Sequence, residues 1–364
     1  MRRAHQNACN LCGASCASIT TTARDPSHSH SLQSRAVCGW LLRSTQPNPN
    51  PHKKPIARTT DVPAAPTAAM ARRSLAPLAP PPALAVTAVV VLALALCFNH
   101  PASAQSAWLD EFRTDGEVRS DFDASGKQVA SLVLDKSSGA GFNSTEKYLF
   151  GEFSVEMKLV PGNSAGTVTS FYLTSGEGDE HDEIDMEFMG NSSGAPTVLN
   201  TNVWASGDGK KEHQFYLWFD PSADFHKYTI IWNAKNIIFR VDDVAVRAFR
   251  RYADLPYPDA RPMAVHATLW DGSYWATEKG EVPIDWAAAP FVVSYRGYTA
   301  NACVTRGGGG RTSCPAGRNE WMDRELDDTD RLTVAWARRN CLQYNYCEDG
   351  WRFPEGFPGE CSRE

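Results

Sequence analysis

An all-β sandwich of two antiparallel sheets is the fold this sequence predicts, and three observations carry the prediction. From Trp108 to about Arg296 the chain falls into short runs of alternating apolar and polar residues separated by turn residues. No long run shows a helical period before the segment from Asp323 to Asn340, where Leu326, Leu332, Trp336 and Arg339 can follow one face of a helix. The stretch His181-Asp182-Glu183-Ile184-Asp185-Met186-Glu187-Phe188-Met189-Gly190-Asn191 alternates strictly from Glu183 to Phe188. Side chains on a strand point to opposite faces in turn, so Glu183, Asp185 and Glu187 share one face and Ile184, Met186 and Phe188 the other.

The strands follow in order. Val129 to Leu134 alternates, as does Gly151 to Val160, which ends at the turn Pro161-Gly162-Asn163. Thr167 to Thr174 reads as a strand closed by the Gly176 to Asp179 turn, and the carboxylate strand comes next. Further strands are predicted over Thr197 to Ala205, Gln214 to Phe219, Tyr228 to Asn233, Ile237 to Val241, Val244 to Phe249, Met263 to Trp270 and Phe291 to Tyr295. No internal repeat is present.

Charge divides the chain. The first 104 residues carry ten Lys and Arg against two Asp and Glu, and the remaining 260 carry 26 against 40. A net acidic domain is a poor partner for nucleic acid, because phosphate contacts need Lys and Arg. The basic part holds Met70-Ala71-Arg72-Arg73, an apolar run from Ala83 to Phe98, and small residues at Ala102-Ser103-Ala104. That layout predicts a secretory signal peptide over 70–104. A membrane anchor is the competing reading, but the apolar run is shorter than the ~20 residues a bilayer needs. Residues 1–69, rich in Ser, Thr, Pro and Ala, are expected to be disordered or a spurious upstream extension, with translation starting at Met70. Cys9, Cys12 and Cys16 lack a fourth ligand at matching spacing and are not read as a metal site.

Five cysteines follow the signal, all in the last quarter of the chain: Cys303, Cys314, Cys341, Cys347 and Cys361. In an exported chain these read as disulfide-forming. Proximity pairs Cys303 with Cys314 and Cys347 with Cys361, and leaves Cys341 as a free, buried thiol. Residues 105–300 are expected to form the β-sandwich. Residues 301–364 are expected to form a short disulfide-bonded extension containing the helix.

Three like charges at every second position of a strand repel one another, which points to chemistry on a substrate lying across that face. Cleavage of a β-glycosidic bond requires one acid to protonate the leaving oxygen and a second carboxylate on the other side of the sugar. Glu183 and Glu187 have Cα atoms about 13 Å apart on an extended strand. Two Glu side chains leaning inward close most of that gap, as a retaining mechanism requires, with its carboxyl groups ~5–5.5 Å apart. Asp185 between them raises the pKa of a neighbour and orients it through a hydrogen bond. A solvated acidic edge or a calcium site is the bland alternative. The apolar opposite face and the flanking His181 weigh against it. Aromatics such as Trp204, Trp218, Trp270, Tyr274 and Trp275 offer faces on which sugar rings stack, though most such rings are core filling. Trp275 lies in the turn-like run Asp271-Gly272-Ser273-Tyr274-Trp275, where core filling is less expected.

The carboxylate stretch closely resembles the active-site strand of plant xyloglucan endotransglucosylase/hydrolases, of glycoside hydrolase family sixteen, with Met186 and Met189 where Phe and Leu are usual. The resemblance extends through Pro161 to Thr169, Gln214 to Pro221, Leu269-Trp270, Trp275-Ala276-Thr277, and Cys347 to Cys361 with Arg352-Phe353-Pro354 inside. It covers essentially all of residues 108–361. It implies a concanavalin-like jelly-roll whose C-terminal extension lengthens the cleft. By position it implies Glu183 as nucleophile, Glu187 as acid/base and Asp185 as helper. Sugar-binding positions fall on Glu187, Asn200-Thr201-Asn202, Lys210-Lys211-Glu212, Tyr274-Trp275 and Arg352. Lys210-Lys211 departs from the common Asn-Arg, Tyr274 from an acidic residue, and Lys279 from a glycine. The family's glycosylation site falls on Asn191 of Asn191-Ser192-Ser193, and Asn143-Ser144-Thr145 is a second candidate acceptor.

The expected function is that of a secreted enzyme of the apoplast and cell wall, a monomer. It would cut the β-1,4-glucan backbone of xyloglucan and pass the fragment to a xyloglucan oligosaccharide or polysaccharide acceptor. No metal, organic cofactor, nucleic acid or stable membrane association is expected. Two alternatives stay open: an endohydrolase that uses water as acceptor, and a non-catalytic glucan-binding wall protein.

Overall fold

The structure is a computed structural model that describes residues 107–306, 311–317 and 319–363. The upstream segment 1–69, the signal peptide over 70–104 and Cys9, Cys12 and Cys16 lie outside the described residues.

Among the described residues, sixteen strands form two antiparallel sheets. In chain order they are β1 (Phe112–Asp115), β2 (Glu117–Phe122), β3 (Gln128–Leu134), β4 (Ala140–Ser144), β5 (Lys147–Lys158), β6 (Thr167–Thr174), β7 (Glu183–Met189) and β8 (Val198–Trp204). They continue with β9 (His213–Tyr216), β10 (His226–Trp232), β11 (Asn236–Val241), β12 (Val244–Arg250), β13 (Ala264–Asp271), β14 (Phe291–Arg306), β15 (Arg311–Ser313) and β16 (Leu342–Asn345). One sheet has the order β1-β4-β13-β6-β7-β8-β9-β16. The other runs β12-β11-β10-β5-β14-β3-β2, with β15 paired to β14. This is the two-sheet sandwich with Greek-key-like crossovers that alternating short strands imply.

The core fills the space between the sheets. Ile184, Met186 and Phe188 of β7 are buried there with Phe153, Val155 and Met157 of β5 and Tyr228 and Ile230 of β10. Phe188 meets Tyr228 edge-on, with ring centroids 4.7 Å apart. Each such side chain contributes ~1.5–3 kcal/mol when fully buried, so the apolar half of β7 locks its register. A one-residue slip would drive three carboxylates into that core.

Two helices follow the sandwich, α1 (Glu320–Asp323) and α2 (Asp328–Asn340). The helix expected from Asp323 begins later, because the Asp327 side chain accepts a hydrogen bond from Asp330 N and caps a new start. Asp330 is itself buried and takes Arg324 at 2.6 Å and Arg240 at 3.3 Å, which ties α2 to the outer sheet. Trp336 of α2 meets Trp218 edge-on at 5.2 Å.

The boundary expected at residue 300 does not divide the structure. Strand β14 runs unbroken past it to Arg306, carrying a register shift between Arg296 and Thr299 that interrupts the alternation. Strand β16 returns to pair with β9 and becomes the outer strand of the first sheet. The strand expected from Gln214 to Phe219 is shorter, since Leu217 to Phe219 leave the sheet. Cys303 is bonded to Cys314 and Cys347 to Cys361, and Cys341 is a buried thiol at the end of α2. No helix among the described residues is long and apolar enough to cross a membrane.

Candidate active site

Strand β7 lies inside the first sheet, between β6 and β8, and its partners build a groove floor. Residues directly opposite one another on antiparallel strands share a face. At the level of Glu187 the row runs through Gln214, Asn200, Glu187, Ser170, Thr268 and Gly141. At the level of Asp185 it runs through Asn202, Asp185, Tyr172, His266 and Asn143. Glu183, Asp185 and Glu187 open together into a groove of about 600 Å³ that Tyr172, Asn143, His266 and Trp270 also line.

Two of the three carboxylates, Asp185 and Glu187, are pushed above the ordinary carboxylate range. Asp185 is 4% exposed. Burial, then the charges of Glu183 and Glu187, then its hydrogen bond with Glu183 push its carboxyl well above the ordinary range. It therefore holds a proton that it donates to Glu183. Burial raises Glu187 to about 7, opposed by a hydrogen bond from Asn200 and reinforced by the charges of Glu183 and Glu212. Asn200 Nδ2 donates to Glu187 Oε2 at 3.0 Å. Tyr172 is pushed above its usual range by burial and by the same three carboxylates, so its hydroxyl stays a donor. Its ring stacks on His266 with centroids 5.1 Å apart. Burial lowers the His266 pKa, with Lys147 adding to the effect, so the imidazole is neutral.

The other predicted positions separate into those on the groove and those beneath it. Asn200 and Asn202 stand on the groove face. Asn202 Oδ1 accepts from Lys211 N at 3.0 Å and Val203 N at 2.9 Å, which shapes the β8–β9 connection. Thr201 does not stand on that face. It pairs with Met186 on the core side, is fully buried, and its hydroxyl donates to His213 O and accepts from Arg247 Nη1. Lys211 is also removed from the groove. It is buried, and its ammonium donates to Asp208 Oδ2 at 2.7 Å and to the carbonyls of Asp208 and Gly209. Neither side chain can reach a sugar, because strand alternation and the turn's own hydrogen bonds turn both inward.

Lys210 is exposed and has a φ of 66°. Glu212 and Arg352 form a bidentate pair beside the β9–β16 edge, and Arg352 also donates to Tyr344 Oη at 3.2 Å. Tyr274 is exposed, and half-buried Trp275 lies against Trp270 with centroids 6.1 Å apart.

Asn191 sits in the turn that leaves β7, and its Nδ2 donates to Pro196 O at 3.0 Å. Asn143 is different. It lines the groove floor opposite His266, so a glycan on it would fill the groove, and the structure argues against it as an acceptor.

Some groove residues escaped the sequence reading. Tyr172 and His266 come from β6 and β13, strands with mostly buried faces and no visible alternation to mark them. Thr277 is another. Its hydroxyl accepts from Gly166 N and donates to Gly190 O, both at 2.7 Å, fastening the Trp275 loop to the end of β7. The Trp275-Ala276-Thr277 run marked its place but not that role.

Comparison with known proteins agrees with this geometry. Residues 110–288 match the model of glycosyl hydrolases family 16, and residues 316–361 match that of the xyloglucan endo-transglycosylase C-terminus. The chain is 61% identical over 285 residues to xyloglucan endotransglycosylase/hydrolase protein 8 of Oryza sativa subsp. japonica, covering 78% of this chain and 98% of that one. It is 46% identical over 286 residues to xyloglucan endotransglucosylase/hydrolase protein 22 of Arabidopsis thaliana, covering 76% and 99%. A solved Bacillus licheniformis β-glucanase aligns over 52% of this chain and 90% of its own, at 22% identity and a TM-score of 0.41. With two sheets, a carboxylate strand on the groove and a paired C-terminal strand in place, the identity to the rice and Arabidopsis proteins establishes that this chain belongs to the xyloglucan endotransglucosylase/hydrolase family, an enzyme family within glycosyl hydrolases family 16.

Proposed function

We propose that this protein cuts the β-1,4-glucan backbone of xyloglucan with retention and passes the glycosyl fragment to a second xyloglucan chain or oligosaccharide. The observation that carries the reading is the placement of Asp185 between Glu183 and Glu187 on one groove face. Asp185 donates to Glu183 and steadies it as the nucleophile. Glu187, with a pKa of about 7, holds a proton near neutrality and gives it to the departing glucan oxygen while Glu183 bonds to the anomeric carbon. In the second step the Glu187 carboxylate takes the proton of an acceptor hydroxyl, and that oxygen displaces Glu183. Carboxylates supply the acid, base and nucleophile, so the reaction needs no added cofactor.

The groove supports transfer over hydrolysis. Beyond β7 the same sheet continues over β8 and β9 to β16, three strand spacings or about 14 Å. At that edge Glu212, Arg352 and Tyr344 present polar groups to an acceptor. Tyr172, His266 and Trp270 offer ring faces to the chain on the other side.

The charged, apolar, small-residue layout of 70–104, and the xyloglucan in the relatives' names, support export to the apoplast and cell wall. Asn191 is the proposed glycan acceptor.

The test is a transfer assay on xyloglucan with a labelled xyloglucan oligosaccharide, with and without acceptor. Labelled high-mass product that depends on acceptor supports transfer. Chain shortening that is indifferent to acceptor would replace transfer with hydrolysis, and no activity on any β-glucan would leave a binding protein.

A further inference from the structure

A glutamate has several rotatable bonds, and an acid/base carboxyl must keep one orientation through two proton transfers. Asp185 does not provide that for Glu187, since its hydrogen bond goes to Glu183. The partner of Glu187 comes from β8. Register sets Asn200 directly opposite Glu187, and Asn200 Nδ2 donates to Glu187 Oε2 at 3.0 Å. Asn200 is 3% exposed, so its amide has little room to rotate. Its other polar atom, Oδ1, is buried and accepts no hydrogen bond from the protein.

We propose that Asn200 is a positioning residue for the acid/base: its Nδ2 fixes Oε2 of Glu187 and leaves Oε1 to carry the proton. The proposal rests on the assignment of Glu187 above. In the first step the proton leaves Oε1 for the glycosidic oxygen as the C–O bond breaks and Glu183 bonds to carbon. In the second step Oε1 takes the acceptor's proton as that oxygen bonds to carbon and Glu183 leaves. Asn200 loses and gains nothing. Its N–H donates in both steps, and more strongly when Glu187 is ionised.

The charged and titratable groups around Glu187 allow this role to be read out. Glu183 and Asp185 lie on its own strand. Tyr172 faces it from β6 and stays protonated. His266 lies beyond Tyr172 on β13 and is neutral. Glu212 lies beyond β8 and is paired with Arg352. Burial and the charges of Glu183 and Glu212 raise the proton affinity of Glu187, and the Asn200 amide opposes them. Removing the amide therefore moves the Glu187 pKa upward.

The experiment compares wild type, Asn200→Ala, Asn200→Gln and Asn200→Asp by circular dichroism and by kcat/KM against pH. One substrate is xyloglucan with a labelled oligosaccharide acceptor. The other is an aryl glycoside of a xyloglucan oligosaccharide, whose leaving group needs no proton. For Asn200→Ala we expect the alkaline limb on xyloglucan to move up by up to about one pH unit, the scale of one hydrogen bond to a charged group. We also expect a tenfold or greater loss on xyloglucan and a much smaller loss on the aryl glycoside. Asn200→Gln, which keeps the amide, recovers part of the loss. Should the alanine variant not fold, Asn200→Asp keeps the volume, removes the donor and moves the limb the same way. An unmoved limb in folded Ala and Asp variants, or equal losses on both substrates, overturns the proposal. Glu187→Gln is run beside them. If it stays active on xyloglucan, the acid/base assignment itself falls, a result distinct from an inactive Glu187→Gln beside an unshifted Asn200→Ala.

Discussion

Glu212 and Arg352 stand 140 residues apart in the chain and meet as a bidentate pair, with Nη1 to Oε2 at 2.7 Å and Nη2 to Oε1 at 2.9 Å. The pair joins the β8–β9 connection to the C-terminal segment that Cys347–Cys361 holds in place. Asn345 and Tyr346 complete the attachment, Tyr346 Oη donating to Glu360 at 3.1 Å and Tyr346 N to Glu212 O at 3.1 Å. The C-terminal extension is therefore fastened to the β8–β9 connection.

Arg352→Ala should weaken the acceptor end without unfolding it. A partly exposed bidentate pair is worth about 1 kcal/mol. We expect the acceptor KM to rise about fivefold with kcat little changed, and Tm to fall by only a few degrees. Glu212, freed of its partner, adds to the charge that raises Glu187, so the alkaline limb moves slightly upward. An unchanged acceptor KM would remove Arg352 from the acceptor surface.

Glu183→Ala should abolish turnover. Loss of a nucleophile costs at least about 10³-fold. The side chain lies on the groove face and not among Ile184, Met186 and Phe188, so the fold should survive with an unchanged far-ultraviolet spectrum. A purified, folded Glu183→Ala that still turns over xyloglucan would reassign the nucleophile.

Glu187→Gln should lose transfer activity and gain stability as pH rises. The folded-state pKa of about 7 lies above the ordinary 4.5, so the native carboxyl binds its proton more tightly than the unfolded one. Its contribution is fully present below about 4.5 and is lost as pH rises through about 7. Glutamine does not titrate and still accepts from Asn200 Nδ2. The Tm gain of Glu187→Gln over wild type should be small at pH 4 and reach about 2–4 °C or more at pH 8, where ~1 kcal/mol moves Tm by that amount in a domain of this size. Thermal melts across that range check it, and a constant difference would contradict the raised pKa.

The chemistry was legible where periodicity was strict. Glu183, Asp185 and Glu187 were placed by period two because Ile184, Met186 and Phe188 fill the other face without exception. The same period would have excluded Thr201 from the groove, but contiguous positions carried over from a resemblance do not respect alternation, and Thr201 points at Arg247 instead. Lys211 was illegible for another reason. A charged side chain buried on the carbonyls of its own turn leaves no sequence pattern. Strand β14 looked shorter than it is because its shift near Arg296 breaks alternation. Strand β16 follows a helix and pairs across more than a hundred residues, so nothing local announces it.

Lys279 carries the last prediction. It follows Glu278 in the loop that presents Tyr274 and Trp275, and the two have φ values of 59° and 48°. That region costs an L residue about 1–2 kcal/mol because Cβ crowds its own carbonyl, and glycine escapes the cost. Lys279 is exposed. Lys279→Gly should therefore stabilise the protein. Glycine also gives the unfolded chain more freedom, which takes back about 0.4–1 kcal/mol. The net gain should be ~0.5–1 kcal/mol, or about 1–4 °C in Tm. Thr277 still fastens the loop to Gly166 and Gly190, so activity should hold. Lys279→Val tests the same strain from the other side, since a β-branched residue tolerates positive φ worse than lysine and should lower Tm. If the glycine variant melts earlier than wild type, the loop gains more from the lysine side chain than it loses to its backbone.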